Sequence, residues 1–257
     1  MDKITMCLVV FAWQAHPQYR LILAANRDEF HRRPTQSAHW WLNNESFLAG
    51  RDLQAGGTWL AMSKSGRFAT VTNFHEGQKN KARFESRGTL VSSFVAGSQS
   101  LSEFASSIVM RDYAGFSLLL SDGESMLYLS NRDDLQTNLE PQIYGLSNAS
   151  LDTPWSKVVR TKANLTSLIE NNAINETELT KLLYDRTLAV SDNVVSEDLP
   201  FEIPRTLSSP FIVAPNYGTR SSTIILWRTD GVVEFCERSF NPSGKAARDS
   251  RFNFVVE

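Results

Sequence analysis

Two runs near the start of the chain, Cys7–Trp13 (CLVVFAW) and Arg20–Asn26 (RLILAAN), are apolar at nearly every position. A strand with one wet face alternates apolar and polar residues. Continuous runs of this length, separated by a short turn region holding Pro17, therefore read as a hairpin buried on both faces. This constrains the fold most, because a sheet covered on both sides needs a packed layer above it and another below. A chain of 257 residues that is 42% hydrophobic has the length and apolar content to bury such a sheet within one domain, residues 1–257.

The first run falls far short of the roughly 20 apolar residues that cross a bilayer. One lysine flanks it, offset by Asp2, and no small-residue cleavage site follows, so it reads as a core strand and not a signal peptide. The cytoplasm is the expected compartment. A net charge of -2 and the lack of a polybasic run argue against a nucleic-acid partner or an anionic membrane surface. With two cysteines, Cys7 and Cys236, no disulfide framework is expected.

Further along, Thr58–Met62 and Phe68–Asn73 read as short strands about a Ser65-Gly66 turn, within an otherwise polar stretch. A helical region is predicted from Thr89 to Arg111, with a capping box in which Ser100 precedes Glu103 by three positions. Phe116–Leu120 and Met126–Ser130 flank Asp122-Gly123 as a hairpin. A helix is predicted to start at Pro154, capped by Asp152 or Thr153, with an apolar stripe of Trp155, Val158, Val159, Leu165, Leu168 and Ile169. A second helix follows Asn175, and 190–210 reads as loop. Ser221–Arg228 and Val232–Arg238 close the chain as a hairpin. Strands at both ends with helices clustered between them favour an α+β architecture.

No phosphate-binding glycine loop, zinc-type spacing or G-x-S-x-G elbow is present, and His16, His31, His39 and His75 have no ligand-like spacing. What remains is a set of polar residues at strand ends. Arg27, Asp28 and Glu29 follow one apolar run, Asn73 ends "FATVTN", Asn148 ends "IYGLSN", and Arg220 lies just before a strong strand. Cys7 opens the first strand, directly after Met6.

Together "NRDEF", "GRD…GGTWLA", "TNF", "SRGTLV", "YGLSN…LDTPW.KV" and "YGTRSST" resemble the NRDE family, that of transport and Golgi organisation protein two, from Cys7 to about Phe240. That family resembles the N-terminal-nucleophile hydrolases. The resemblance implies a four-layer αββα sandwich with two antiparallel sheets. In such hydrolases the first residue is the nucleophile and its own α-amine is the base. An α-amine titrates at about 7.7–8.0, so a neutral fraction exists near pH 7. The expectation is that Met6 is the biological start, or that "MDKITM" is removed, leaving Cys7 free.

Similarity to cysteine members such as penicillin V acylase and bile-salt hydrolase implies roles for the other strand-end residues. Arg27 and Arg220 would flank the thiol, Asp28 would hold the α-ammonium or its hydrogen bonds, and Asn73 and Asn148 would stabilise an oxyanion. Those hydrolases place the carboxylate three residues after the arginine. Here Asp28 and Glu29 follow at once, so either can face the cysteine.

Three functions are implied. The family is associated with moving haem, for which Arg27, Arg51, Arg87 and Arg220 are possible propionate partners and Trp40, Trp41, Trp59, Phe74 and Tyr217 possible walls. The fold's own chemistry implies a cysteine amidohydrolase acting through an acyl-enzyme. A fold that has lost its chemistry would be a scaffold binding lipid, acyl-CoA or a protein.

Overall fold

The computed structural model describes residues 6–41, 47–74, 85–133, 135–190, 193–194 and 203–257. The elements run, in chain order, β1 (Leu8–His16), β2 (Tyr19–Phe30), β3 (Thr35–Trp40), β4 (Phe47–Asp52), β5 (Leu60–Ser63) and β6 (Phe68–Asn73). Helices α1 (Arg87–Ala96) and α2 (Leu101–Ser107) follow, then β7 (Phe116–Ser121), β8 (Met126–Ser130), β9 (Leu135–Asn138) and β10 (Gln142–Leu146). After α3 (Ser156–Glu170) and α4 (Glu176–Leu183) come β11 (Asn193–Val194), β12 (Ile203–Pro204), β13 (Tyr217–Arg228), β14 (Val232–Phe240) and β15 (Ala246–Val255).

One antiparallel sheet has the order β10-β1-β2-β13-β14-β15 and the other runs β3-β4-β5-β6-β7-β8-β9. Alternation along the first hairpin builds the layers. Val9, Phe11, Trp13, Leu21, Leu23 and Ala25 point to the core between the sheets, where they meet Phe68, Tyr128 and Phe235. Leu8, Val10, Ala12, Ile22 and Ala24 point the other way, to the layer holding Val158, Leu165, Leu179 and Leu183 of α3 and α4. The second sheet repeats this, with Ala69, Val71, Leu118 and Leu120 under Val91 and Phe94 of α1 and Phe104 of α2. The order is helix, sheet, sheet, helix, so the continuous apolarity of β1 and β2 has its cause in two covering layers.

The predicted hairpins about Gly66, Gly123 and Gly231 are present, each glycine at positive φ, and Asn175 caps α4 by accepting from Glu178 N–H at 3.0 Å. Several expectations need correcting. The region from Thr89 to Arg111 is two helices and a 3-10 turn, because Gly97 ends α1 and the Ser100–Glu103 capping box starts α2 afresh. Asp152 does not cap α3. It lies at φ 58, accepts from Gly145 N–H and pairs with Lys162 at 2.8 Å, and Trp155 takes the cap position without a side-chain bond. Val159 is exposed, not part of the buried stripe. Strands β3, β4, β9 and β15 were not foreseen, and β15 follows the hairpin that was expected to close the chain. Within 190–210, β11 pairs with β12, and most of the remainder lies outside the described residues, as do His75 and residues 1–5.

One close approach seats the start of α1 on the connection between β4 and β5. A Cβ on Gly57 would stand 2.6 Å from the Gly88 carbonyl carbon, and one on Gly88 would stand 2.9 Å from the Thr58 carbonyl oxygen. Both obstacles are backbone. Glycine to alanine in a helix normally gains about 0.5–1 kcal/mol. For Gly88→Ala the expected result is instead a loss of about 1–3 kcal/mol from overpacking, read as a lower urea midpoint with unchanged slope.

Candidate functional site

The pleat that sorts the core also assembles the site. At the end of β1 and β2 nearest the cleft the apolar run gives way to Asn26, Arg27, Asp28 and Glu29, and their side chains continue the alternation. Asn26 is fully buried on the helix side. Its Nδ2 donates to the Leu183 and Pro210 carbonyls, both at 2.8 Å, and its Oδ1 accepts from Ser222 Oγ at 2.5 Å. Asp28 is also buried, with Oδ1 accepting from Thr219 Oγ1 at 2.6 Å. Arg27 and Glu29 lie on the opposite face, 3.6 Å apart, where Arg27 also meets Asp52 at 3.8 Å. Arg33 closes the network, 2.7 Å from Asp52 and 3.7 Å from Glu29.

Cys7 sits where these faces meet. Its backbone N–H donates to Asn148 Oδ1 at 2.6 Å, and its carbonyl accepts from Ser147 Oγ at 2.5 Å and from Lys157 Nζ at 3.3 Å. The sulfur lies 3.9 Å from the Asp28 carbonyl oxygen. The Met6 N–H donates to the Tyr217 hydroxyl, and the Met6 side chain is buried on the helix side. Of the two carboxylates left open by the sequence, Asp28 is the one beside the cysteine, and Glu29 belongs to the arginine network. Burial, with the charge of Asp28 added, pushes the Cys7 thiol up to about 12, against the pull of Arg27 and Lys157. A thiol in that condition is protonated and unreactive. Burial also holds the Asp28 carboxyl above the usual carboxylate range, opposed by Lys157, Thr219 and Arg27.

Cys7 opens into a cleft of about 850 Å³ between the sheet ends, within the size range of small-molecule sites. Arg27, Arg32, Arg33, Arg51, Arg87 and Arg220 line it, with Asp28, Glu29, Asp52, Glu85 and Glu237, and Trp59, Phe74 and Phe240 supply apolar wall. Six guanidiniums thus stand against five carboxyls, and burial raises two of those carboxyls, Asp28 and Glu237, above the usual carboxylate range. Burial and the neighbouring Arg33 lower Arg87 to about 10, and burial and Arg27 lower Arg220. Arg27 Nη1 is buried with no partner among the described residues. The cleft thus holds crowded guanidiniums that an anion would relieve.

The structure brings Cys7, Arg27, Asp28, Asn73 and Arg220 to this cleft, with Asn148 behind Cys7. Asn148 Nδ2 donates to the Asn73 carbonyl at 2.8 Å, which joins the two sheets at the thiol. Arg220 has other work: its Nη1 donates to the carbonyls of Phe30, His31 and Arg33, holding the turn from β2 to β3. Of the five candidate wall aromatics, Trp59 and Phe74 line the cleft. Trp40 packs on Phe252 and Phe254, Trp41 on Phe47, and Tyr217 lies on the helix side of Cys7. One ring nitrogen of each of His16, His31 and His39 bonds to the backbone, and His31 Nδ1 is buried without a partner among the described residues. Lys157, Ser147 and Thr219 were missed. Thr219 and Tyr217 stand two apart in the same quoted motif as Arg220 and share the face opposite to it. Lys157 lies one residue before Val158 and falls on the same buried stripe.

A solved structure of a conjugated bile acid hydrolase mutant from Clostridium perfringens superposes over 98% of both chains with a TM-score of 0.50 at 8% identity, which shows an N-terminal-nucleophile-hydrolase-like fold. The Transport and Golgi organization protein 2 homolog of Bos taurus is 35% identical over 262 residues, covering 91% of this chain and 93% of that protein. The Drosophila melanogaster Transport and Golgi organization protein 2 is 27% identical over 91% of this chain and 92% of its own length. The family model "Transport and Golgi organisation 2" matches residues 6–242, an interval that opens one residue before the cleft thiol and ends just past β14, so the chain belongs to that family.

Proposed function

We propose that the cleft binds an anionic, partly apolar cargo of the haem class, and that the protein carries it within the cytoplasm and does not transform it. The observation that supports this most is the excess of guanidinium groups, with the buried Arg27 Nη1 lacking an acceptor among the described residues. Two carboxylates on one ligand would be met by Arg27 and Arg87, with Trp59 and Phe74 against its apolar body. The choice of haem from among such anions comes from the family resemblance, and the arginines are its physical counterpart. A protonated thiol is a weak iron ligand, so Cys7 would contribute little to affinity, which suits a carrier that must release its cargo.

Titration with haem, followed at the Soret band, is expected to saturate at one site. Arg27→Ala and Arg87→Ala are each expected to weaken binding by about 10–100-fold, the worth of one charge-assisted contact, while Cys7→Ala leaves it unchanged. A featureless titration, or binding indifferent to both arginines, overturns the reading.

A second reading, a cysteine amidohydrolase, is favoured by the contact of Cys7 N with Asn148 Oδ1 at 2.6 Å. That contact would hold a freed α-amine next to its own thiol. With residue 6 attached, the nitrogen is an amide and cannot take the proton.

A further inference from the structure

Neither reading uses Lys157, which is 1% exposed. A lysine is almost never fully buried without a partner, since taking an ammonium from water costs several kcal/mol. Lys157 lies on the buried stripe of α3 with Val158, Thr161 and Leu165. Its one hydrogen-bond acceptor among the described residues is the Cys7 carbonyl at 3.3 Å. One weak neutral contact does not offset that cost: burial lowers the Lys157 pKa, and the negative charges of Asp28 and the Cys7 thiolate work against that shift.

The groups facing Cys7 can be taken element by element. From β2 come the Asp28 carboxylate, whose Oδ2 is buried without a hydrogen-bond partner among the described residues, and the Arg27 guanidinium. From β13 comes the Tyr217 hydroxyl, which accepts from Met6 N–H. From α1, across the cleft, Arg87 is near enough to act on the thiol's charge. From α3 comes Lys157. Among the described residues, then, the helix side sets one cation, Lys157, against one carboxyl, Asp28, with the arginine-lined cleft on the other side of Cys7.

We propose that Lys157 is a positioning residue for Cys7: from beneath, it anchors the Cys7 carbonyl and supplies the positive charge that counters Asp28 at the sulfur. Asp28 and burial both disfavour the thiolate, and Lys157 works against them from the side opposite Arg27. The same charge favours the ionised form of Asp28. The inference concerns the thiol of the whole chain and stands whether the cleft carries haem or cuts amides.

The test is the rate of Cys7 alkylation by iodoacetamide between pH 7 and 10, in a Cys236→Ser background so that one thiol is read. Removing the cation raises the thiol pKa, lowers the thiolate fraction at each pH and slows labelling. Lys157→Met is expected to label about tenfold more slowly across the range, which corresponds to about one pKa unit. Lys157→Arg, which keeps the charge, is expected to restore the rate to within about threefold. Lys157→Gln keeps a donor for the carbonyl but not the charge, and carries the same expectation should the methionine variant not fold. A purely structural lysine predicts the opposite: loosened packing exposes the sulfur, and labelling is unchanged or faster in the neutral variants. That outcome, or failure of arginine to rescue, overturns the proposal.

Discussion

A chain whose first residue is Cys7 is expected to be acylated at that cysteine by an electrophilic β-lactam about 10²–10⁴-fold faster than the chain retaining residues 1–6. The factor is the usual worth of a positioned general base. In the longer chain the Cys7 nitrogen is an amide that donates to Asn148 Oδ1 and has no basic lone pair. Its thiol, buried and beside Asp28, is pushed up to about 12, so very little thiolate exists at pH 7. Freeing the amine adds a base of pKa about 7.7–8.0 on the neighbouring carbon, with Asn148 already in place to orient it. The proton then passes from sulfur to nitrogen and the sulfur attacks. The label has to disappear in Cys7→Ala. Cys236 stays silent because its own half-buried thiol is pushed up to about 12 by burial and the adjacent Glu176. Intact-mass analysis of both chains after timed exposure reads the result. Equal rates would remove the hydrolase reading and leave the cleft as a binding site alone.

The parts of this site that could be read from the sequence are those where a polar residue breaks an apolar strand. Cys7, Asn73 and Asn148 lie at or next to strand ends, whereas Asn26–Glu29 lie inside β2, which runs on past the apolar run to Phe30, and Arg220 lies inside β13; pairing sets Leu8 opposite Asn26 and Val9 opposite Leu146. Lys157 could not be found this way, because a stripe is traced through its apolar members and a lysine in it is taken for solvent-facing. The missed strands have a related cause. Thr35, Gln36 and Ser37 of β3 and Gly50, Arg51 and Asp52 of β4 line the cleft, so these strands have a polar lining on the very face that apolar alternation would have marked. β9 is an exposed edge with no apolar face, and β15 has one buried residue among its first six, its apolar face being confined to Phe252 and Phe254 near the end. Arg220 shows a different limit. Its place in the motif was legible, but its engagement with three backbone carbonyls is set by the turn from β2 to β3, which strand patterning does not describe.

Asn26, the first residue of the polar motif in β2, is expected to matter more to stability than any of the charged residues after it. It lies beneath the site, joining β2 to the end of α4, to the Pro210 segment and to Ser222 of β13. Asn26→Ala removes one partner from two buried carbonyls and one hydroxyl. At about 1–3 kcal/mol per group left unsatisfied, the loss should be on the order of 4 kcal/mol and nearly independent of pH. Asn26→Asp has the same shape but behaves differently. Its second oxygen faces the Leu183 and Pro210 carbonyls where an amide donated, so it satisfies one of them only when protonated. The folded state therefore holds that proton more tightly than the unfolded chain, whose aspartate titrates near 3.9. With more protons bound in the folded state, stability falls as pH rises. The variant should lie closest to the wild type below about pH 4 and lose up to about 1.4 kcal/mol per pH unit above it, until the folded protein also ionises or unfolds. Urea unfolding of wild type, Asn26→Ala and Asn26→Asp at pH 4.5 and 7.5 separates the two behaviours. A constant alanine deficit and an aspartate deficit that grows with pH place the role of Asn26 in its donated hydrogens, whereas two parallel deficits would assign it to packing.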